Sequence, residues 1–268
     1  MATVRDLAAD SMEGRRAATP GGARARRYLL GRLQALGVAP LEGSYTQSFP
    51  LPTDSGVNLL GVIPGTRTGA PYFVLSAHYD HLGIQRGVIY NGADDNASGV
   101  AAVLAIAGSL RRHPLEHPVI IALFDAEEGG LRGARAFVSG GPVPRERIAL
   151  NINLDMVGHS EPGVLWAAGT NDTPAFRPLL DSLVMTAPVT LKLGHDRTGV
   201  PGEQDWRGSS DHGAFRSAGI PFLYFGVEDH QDYHKPSDDP ETLTPKFFGE
   251  AVATIEAALR RLDTVLGR

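Results

Sequence analysis

Apolar residues in this chain come in short blocks separated by longer stretches with helical spacing. The blocks "PYFVLSAH" (71–78), "PVIIALF" (118–124) and "IPFLYFG" (220–226) are apolar and rich in β-branched or aromatic residues, which predicts buried strands. "GVNLLGVIPG", "RIALNINLDMVG" and "GVLWAAG" read the same way. Between them, "TPGGARARRYLLGRLQALGVAP" predicts a helix capped by Thr19, with Tyr28, Leu29, Leu33 and Leu36 on one face and Gly37 as its stop. "ASGVAAVLAIAGSLRR" predicts a small-residue helix able to approach a sheet closely. Further helices are expected over "GGLRGARAFVSGG", from about Pro174 to Met185, over "DHGAFRSAG", and over the closing amphipathic run "TPKFFGEAVATIEAALRRLDTVLGR".

Strands alternating with helices, several of them apolar on both faces, predict an α/β fold. The expected form is a three-layer sandwich, a central and mostly parallel mixed β-sheet flanked by helices. No repeat or linker interrupts residues 1–268, so one domain is expected. The one long irregular run, "HDRTGVPGEQDWRGSSD", is expected to rim a binding site, because long loops in compact domains are often functional.

Composition narrows the chemistry. The formal net charge is -5 and the lysines and arginines are scattered, which argues against a nucleic-acid partner. The cluster Arg24, Arg26, Arg27 and Arg32 reads as a solvated helix face. No apolar run is long enough to span a membrane, so no membrane partner is expected. The opening residues lack the apolar centre of a signal peptide; either the protein is cytoplasmic or a leader was removed. With no cysteine in the chain, disulfides and thiolate metal sites are excluded, and any metal must be held by histidine and carboxylate.

The strand ends carry those groups. In open α/β sheets ligands gather beyond the carboxyl ends of the strands. Here one strand ends in His78 and Asp80, another in Glu127 and Glu128, a third in Asp155, and a fourth leads toward His234. Asp94 and Asp95 stand just before the small-residue helix. Without cysteine, such a histidine–carboxylate collection is the donor set of a hydrolytic zinc site. Each residue also has a plainer reading. Paired glutamates after a strand serve as loop charges, His78 as a core histidine, and "GADDNASG" as a helix start capped by Asn96 or Ser98. His81, His159, His195, His212 and His230 read as rim, turn or supporting residues.

"SAHYDHLG", "NGADDNASG", "FDAEEGGLRG", "NLDMVG" and "YHKPSDD", in this order, resemble the M28 family of co-catalytic zinc aminopeptidases. The resemblance extends to the opening "LAADSMEGRRAATPGG". It implies two Zn2+ ions. His78 and Asp155 would hold one, Glu128 and His234 the other, and Asp95 would bridge them, with Asp94 as the rival for that place. It further implies that Asp80 accepts a hydrogen bond from His78, that Glu127 is the general base, and that Tyr233 donates to a tetrahedral oxyanion. The expected substrates are peptides or proteins with a free N-terminus, cleaved by a monomer. An extracellular or periplasmic location is implied by the resemblance, the M28 peptidases being commonly exported.

Three other readings stay open. An M20-type carboxypeptidase or amidohydrolase has a similar ligand order but normally inserts a second domain before the last histidine. Between Asp155 and His234 this chain has no room for one, nor does it carry the protease-associated insert of some M28 relatives. A glutaminyl cyclase shares the expected fold with a single zinc. A binding module without chemistry would have no use for Glu127 beside a complete ligand set. G-x-S-x-G and H-E-x-x-H are absent, so neither a serine-hydrolase elbow nor a mononuclear zincin is supported.

Overall fold

A computed structural model describes residues 1–52 and 54–266. One sheet contains β1 (Ala39–Pro40), β2 (Thr46–Pro50), β3 (Ser55–Ile63), β4 (Tyr72–His78), β7 (Val119–Phe124), β8 (Ile148–Leu154), β9 (Val164–Ala168), β10 (Thr190–Leu193) and β11 (Phe222–Gly226). A separate hairpin pairs β5 (Gly83–Gln85) with β6 (Val88–Tyr90). The helices are α1 (Ala2–Leu7), α2 (Pro20–Ala35), α3 (Gly99–Arg112), α4 (Arg132–Gly140), α5 (Arg177–Val184), α6 (His212–Ser217) and α7 (Pro245–Leu266). Among the described residues no helix is long and apolar enough to cross a membrane.

The strand order is β1-β3-β7-β4-β8-β11-β9-β10, with β2 beside β3. Parallel pairing fills the centre, β7–β4–β8–β11, and recurs at β9–β10. The remaining pairings are antiparallel, so the sheet is mixed, with the strands that end at the site forming its continuous parallel block. From β4 the chain crosses through α3 to β7 on one side, and from β7 through α4 to β8 on the other. That divergence opens a crevice at the end of β4, where such sheets bind ligands.

Strand β7 shows how the layers form. Val119, Ile121 and Leu123 face the core shared with α1, α2, α3, α5 and α7, whereas Ile120, Ala122 and Phe124 face the core of α4 and α6. A period of two thus buries an all-apolar strand on both sides. Leu29 and Leu33 of α2 are fully buried, and the Thr19 hydroxyl accepts from Gly22 N–H at the helix start. Gly37 ends that helix segment at φ 67°, a conformation open to glycine at little cost.

The layers agree with the sequence pattern, but several edge elements do not show in it. β1, β2, β10 and the β5–β6 hairpin are short and polar or exposed on one side, so their apolar signal is weak. The closing helix runs to Leu266; the last two positions of the expected helix lie outside the described residues.

Candidate metal centre

His78 is the last residue of β4, and Glu127 and Glu128 follow β7 after Asp125 and Ala126. Asp155 follows β8 directly, and Tyr233 and His234 lie in the segment after β11. Three of these exits contain a non-glycine residue in the left-handed region: Ala126 at φ 57°, Met156 at φ 55° and His234 itself at φ 54°. Each such turn costs about 1–3 kcal/mol and persists where surrounding contacts enforce it. Asp95 lies in the tight turn before α3, and its peptide bond to Asn96 is cis.

Asn96 ties that turn to the neighbouring exit. Its Oδ1 accepts from Gly99 N–H at 3.0 Å and Met156 N–H at 3.3 Å, while its Nδ2 donates to Leu154 O at 3.0 Å. Asn96 therefore accepts the first N–H of α3, whose N-cap position is Ser98, and the same side chain sets Asp95 beside Asp155. A Cβ on Gly99 would press on Asn96 Oδ1 and sit 2.6 Å from Leu154 O, so only glycine permits this approach. Beneath Asp155, Asn151 donates to Ser76 Oγ at 2.9 Å, Ser76 to Asn153 Oδ1 at 2.7 Å, and Asn153 to Ser210 Oγ at 2.9 Å.

The five expected ligands converge. His78 Nε2 lies 3.3 Å from Asp155 Oδ1 and 3.4 Å from Asp95 Oδ1. On the other side, His234 Nε2 lies 3.0 Å from Asp95 Oδ2 and 3.5 Å from Glu128 Oε2. Asp95 thus turns one oxygen to each histidine, as a bridging carboxylate would. Asp94 points elsewhere, its Oδ1 accepting from Gly158 N–H at 2.7 Å and its Oδ2 from His230 Nε2 at 3.2 Å.

Asp80 supports His78 mainly through its main chain. The His78 Nδ1–H donates to Asp80 O at 3.2 Å; the Asp80 carboxylate, 3.7 Å from that nitrogen, instead accepts from Glu127 N–H at 3.0 Å. One residue therefore orients both the histidine and the backbone of the expected base. Tyr233 stacks on His234, ring centres 3.9 Å apart, and both line a cleft of about 460 Å³ with Glu127 and Trp206. The irregular run contributes Gln204, Trp206 and Ser209 to this cleft.

Electrostatics set these groups in conflict. Burial pushes Glu128 up to about 7, although His78 opposes it, and lifts Glu127 well above the usual carboxyl range. Burial raises Asp95 too, and nearby Glu128 and Asp155 add to the effect. Asp155 goes the other way: burial would raise it, but the His78 charge and hydrogen bonds from His78 and Ser210 hold it down. His78 is correspondingly raised, its partners overcoming its own burial. So many buried acids facing one crevice lack positive charge. Divalent cations would supply it, and imidazole nitrogens with carboxylate oxygens are donors suited to zinc.

Three more residues belong here: the sequence reading left His81 among rim, turn or supporting residues and gave Asp211 and Arg15 no role. His81 is fully buried, not at a rim; its Nδ1–H donates to Glu128 Oε1 at 2.8 Å, and its Nε2 meets no partner. With Asp95 and Glu128 it forms a second convergent donor group. Asp211 is fully buried with both carboxylate oxygens unpartnered, and burial pushes it up to about 8. Arg15, also fully buried, donates to the carbonyls of Tyr79 and Leu7 at 2.9 Å, of Gly92 at 2.9 Å, and of Asn91. It pins the loops bearing His81 and Asp95 from below. The H-x-D-H spacing and the quoted "SMEGRR" held signals for His81 and Arg15; nothing local marked Asp211.

Comparison with known proteins matches residues 58–259 to Peptidase family M28. The chain is similar to leupeptin-inactivating enzyme 1 of Streptomyces exfoliatus, 32% identical over 75% of this chain and 42% of that protein. It is similar to the crystal structure of BSAP, a zinc aminopeptidase from Bacillus subtilis, at 26% identity and TM-score 0.65, covering 78% of this chain and 50% of that one. Porphyromonas gingivalis glutaminyl cyclase has the same fold at 18% identity and TM-score 0.76, with 98% of both chains covered. The chain spans half or less of the first two relatives' length.

Proposed function

The chain belongs to peptidase family M28, and from that premise we propose that it is a zinc-dependent aminopeptidase acting on peptides with a free N-terminus. The observation that carries this reading is the Asp95 carboxylate set between His78 with Asp155 and His234 with Glu128. Those five residues would hold two zinc ions, which when bound polarise the scissile carbonyl and acidify a water between them. His81 would fix the Glu128 carboxylate through their 2.8 Å contact.

Glu127 would take the proton from that water and pass it to the leaving amine. The Asp80 carboxylate holds the Glu127 backbone in place. The Tyr233 hydroxyl would donate to the oxyanion as the carbonyl becomes tetrahedral. The surplus of carboxylates would anchor the substrate's ammonium group. Trp206 and Tyr224, edge to face with ring centres 5.8 Å apart, offer an apolar wall for the first side chain. One domain over residues 1–268, a monomeric state and an exported location complete the proposal. The continuous sheet supports the first, and the habits of the family support the last.

Incubation with free and amino-blocked peptides, with and without chelator, tests the reading. We expect release of the first residue from the free peptides alone, abolished by chelator. Ring closure of N-terminal glutaminyl peptides without cleavage would replace it with the cyclase reading, which now has only the fold in its favour.

A further inference from the structure

Beside the strand exits lies another group of potential metal donors. The ligand atoms of His159, His230 and Asp232 all come within 4.8 Å of one another. His159 is 7% exposed, and its buried Nδ1 meets no hydrogen-bond partner. Asp232 Oδ2 lies 4.0 Å from that nitrogen, too far for a hydrogen bond. The two imidazoles stack with ring centres 4.1 Å apart. The group opens on a cleft of about 280 Å³ whose mouth carries Glu161, Glu228 and Asp229, a setting that attracts cations.

The surroundings of each donor suit a metal. Asp94 Oδ2 accepts from His230 Nε2–H at 3.2 Å, which leaves the lone pair on Nδ1. That lone pair accepts a 3.3 Å hydrogen bond from Asp232 N–H, which an ion would have to displace. Ser237 Oγ donates to Asp232 Oδ1 at 2.7 Å and turns Oδ2 toward His159. A carboxylate behind a histidine, and a hydrogen bond behind a carboxylate, are how metal ligands are held in their working orientation. Tetrahedral zinc, with bonds of about 2.0–2.1 Å, would hold nitrogen and oxygen donors roughly 3.3 Å apart, so His159 and Asp232, now 4.0 Å apart, would have to draw together around the ion. Two imidazoles and one carboxylate, with water able to complete the shell from the cleft, favour zinc.

We propose that His159, His230 and Asp232 form a zinc site, with three protein ligands and water, separate from the one at the strand exits. His159 lies four residues after Asp155, and Asp232 two residues before His234. An ion there would clamp the segment carrying one expected ligand to the segment carrying another. Asp94, the immediate neighbour of Asp95, already binds both sides through Gly158 and His230.

The test compares zinc content in the full chain with that of His159→Asn and Asp232→Asn, each dialysed against zinc and then freed of excess. Wild type should retain one equivalent more than either variant, however many ions the strand exits hold. Anomalous diffraction at the zinc edge of wild-type crystals should place density among the three side chains. Equal zinc content in wild type and a His159→Asn protein of matching circular dichroism would overturn the site. So would anomalous density at the strand exits alone. Neither readout involves peptide hydrolysis, so loss of the aminopeptidase reading leaves this result intact, and the reverse.

Discussion

Two buried histidine–carboxylate groupings stand at opposite ends of the same strands. Where β4 and β7 begin, His117 donates from Nδ1 to Asp263 at 2.7 Å, stacks on Phe73 with ring centres 4.2 Å apart, and meets Arg67 at 3.0 Å. The Asp263 carboxylate also accepts Glu116 N–H and His117 N–H at 2.9 and 3.0 Å. One acid serves one histidine and two amides, and the protein itself satisfies them all. Where β4 and β7 end, His78, His81 and His234 face Asp95, Glu128 and Asp155, and the donors exceed what they can give each other. Residue type does not separate a lock from a site. The surplus of inward-facing donors does.

The sharpest way to break this contrast is Asp95→Ala. Zinc content should fall at both halves of the cluster and peptide hydrolysis should drop to background; an active, zinc-replete variant would hand the bridging place to another acid. Next comes Glu127→Gln, for which we expect about a 10²–10⁴-fold loss of kcat with zinc content unchanged. Metal analysis run beside the kinetics checks it, and full activity would remove Glu127 as the base. Tyr233→Phe should lower kcat by about 10²-fold, with KM little altered, if its hydroxyl meets the oxyanion.

At the other end of the strands the consequence should be of a different kind. Asp263→Ala leaves His117 and two amides without an acceptor, costing about 1–3 kcal/mol in denaturant unfolding, while kcat per folded molecule and zinc content stay the same. Loss of zinc in that variant would erase the distinction.

The last test is a slope with pH, spread over several units. Burial pushes Asp211 up to about 8 and Asp125 up to about 6, against 3.8 for an ordinary aspartate. The folded, metal-free chain therefore keeps protons that the unfolded chain has already released. These carboxyls lower stability as pH rises from about 4 to about 8, by at most about 1.4 kcal/mol per pH unit each, while His81 and His212, held by burial at about 4, offset part of the fall below pH 6.5. Urea unfolding of chelated protein at a series of pH values reads this directly, and a profile rising across that window would contradict it.

Most of the layered fold was legible in the sequence because its central elements obey strong local rules. β7 has no polar residue to blur its period, and α2 carries both its cap and its stop. The edge strand β10, "TLKL", has too little apolar surface to announce itself. In the site, the histidines and acids at the strand ends stand out because a cysteine-free chain leaves few metal donors. His81 was discounted because an isolated histidine gives no sign of burial, and Arg15 because its partners are carbonyl oxygens, which have no sequence signature.

By itself the sequence determined the order of strands and helices and the set of acids and histidines delivered to one sheet edge. These follow from periods of two and 3.6 residues acting over short stretches of chain. Only the tertiary structure decided that Asp95 turns an oxygen to each side, that Asp80 meets His78 chiefly through its carbonyl, and that His159 lies near Asp232. Those residues come together through crossovers and sheet order, which fix distances between parts of the chain that no local pattern connects.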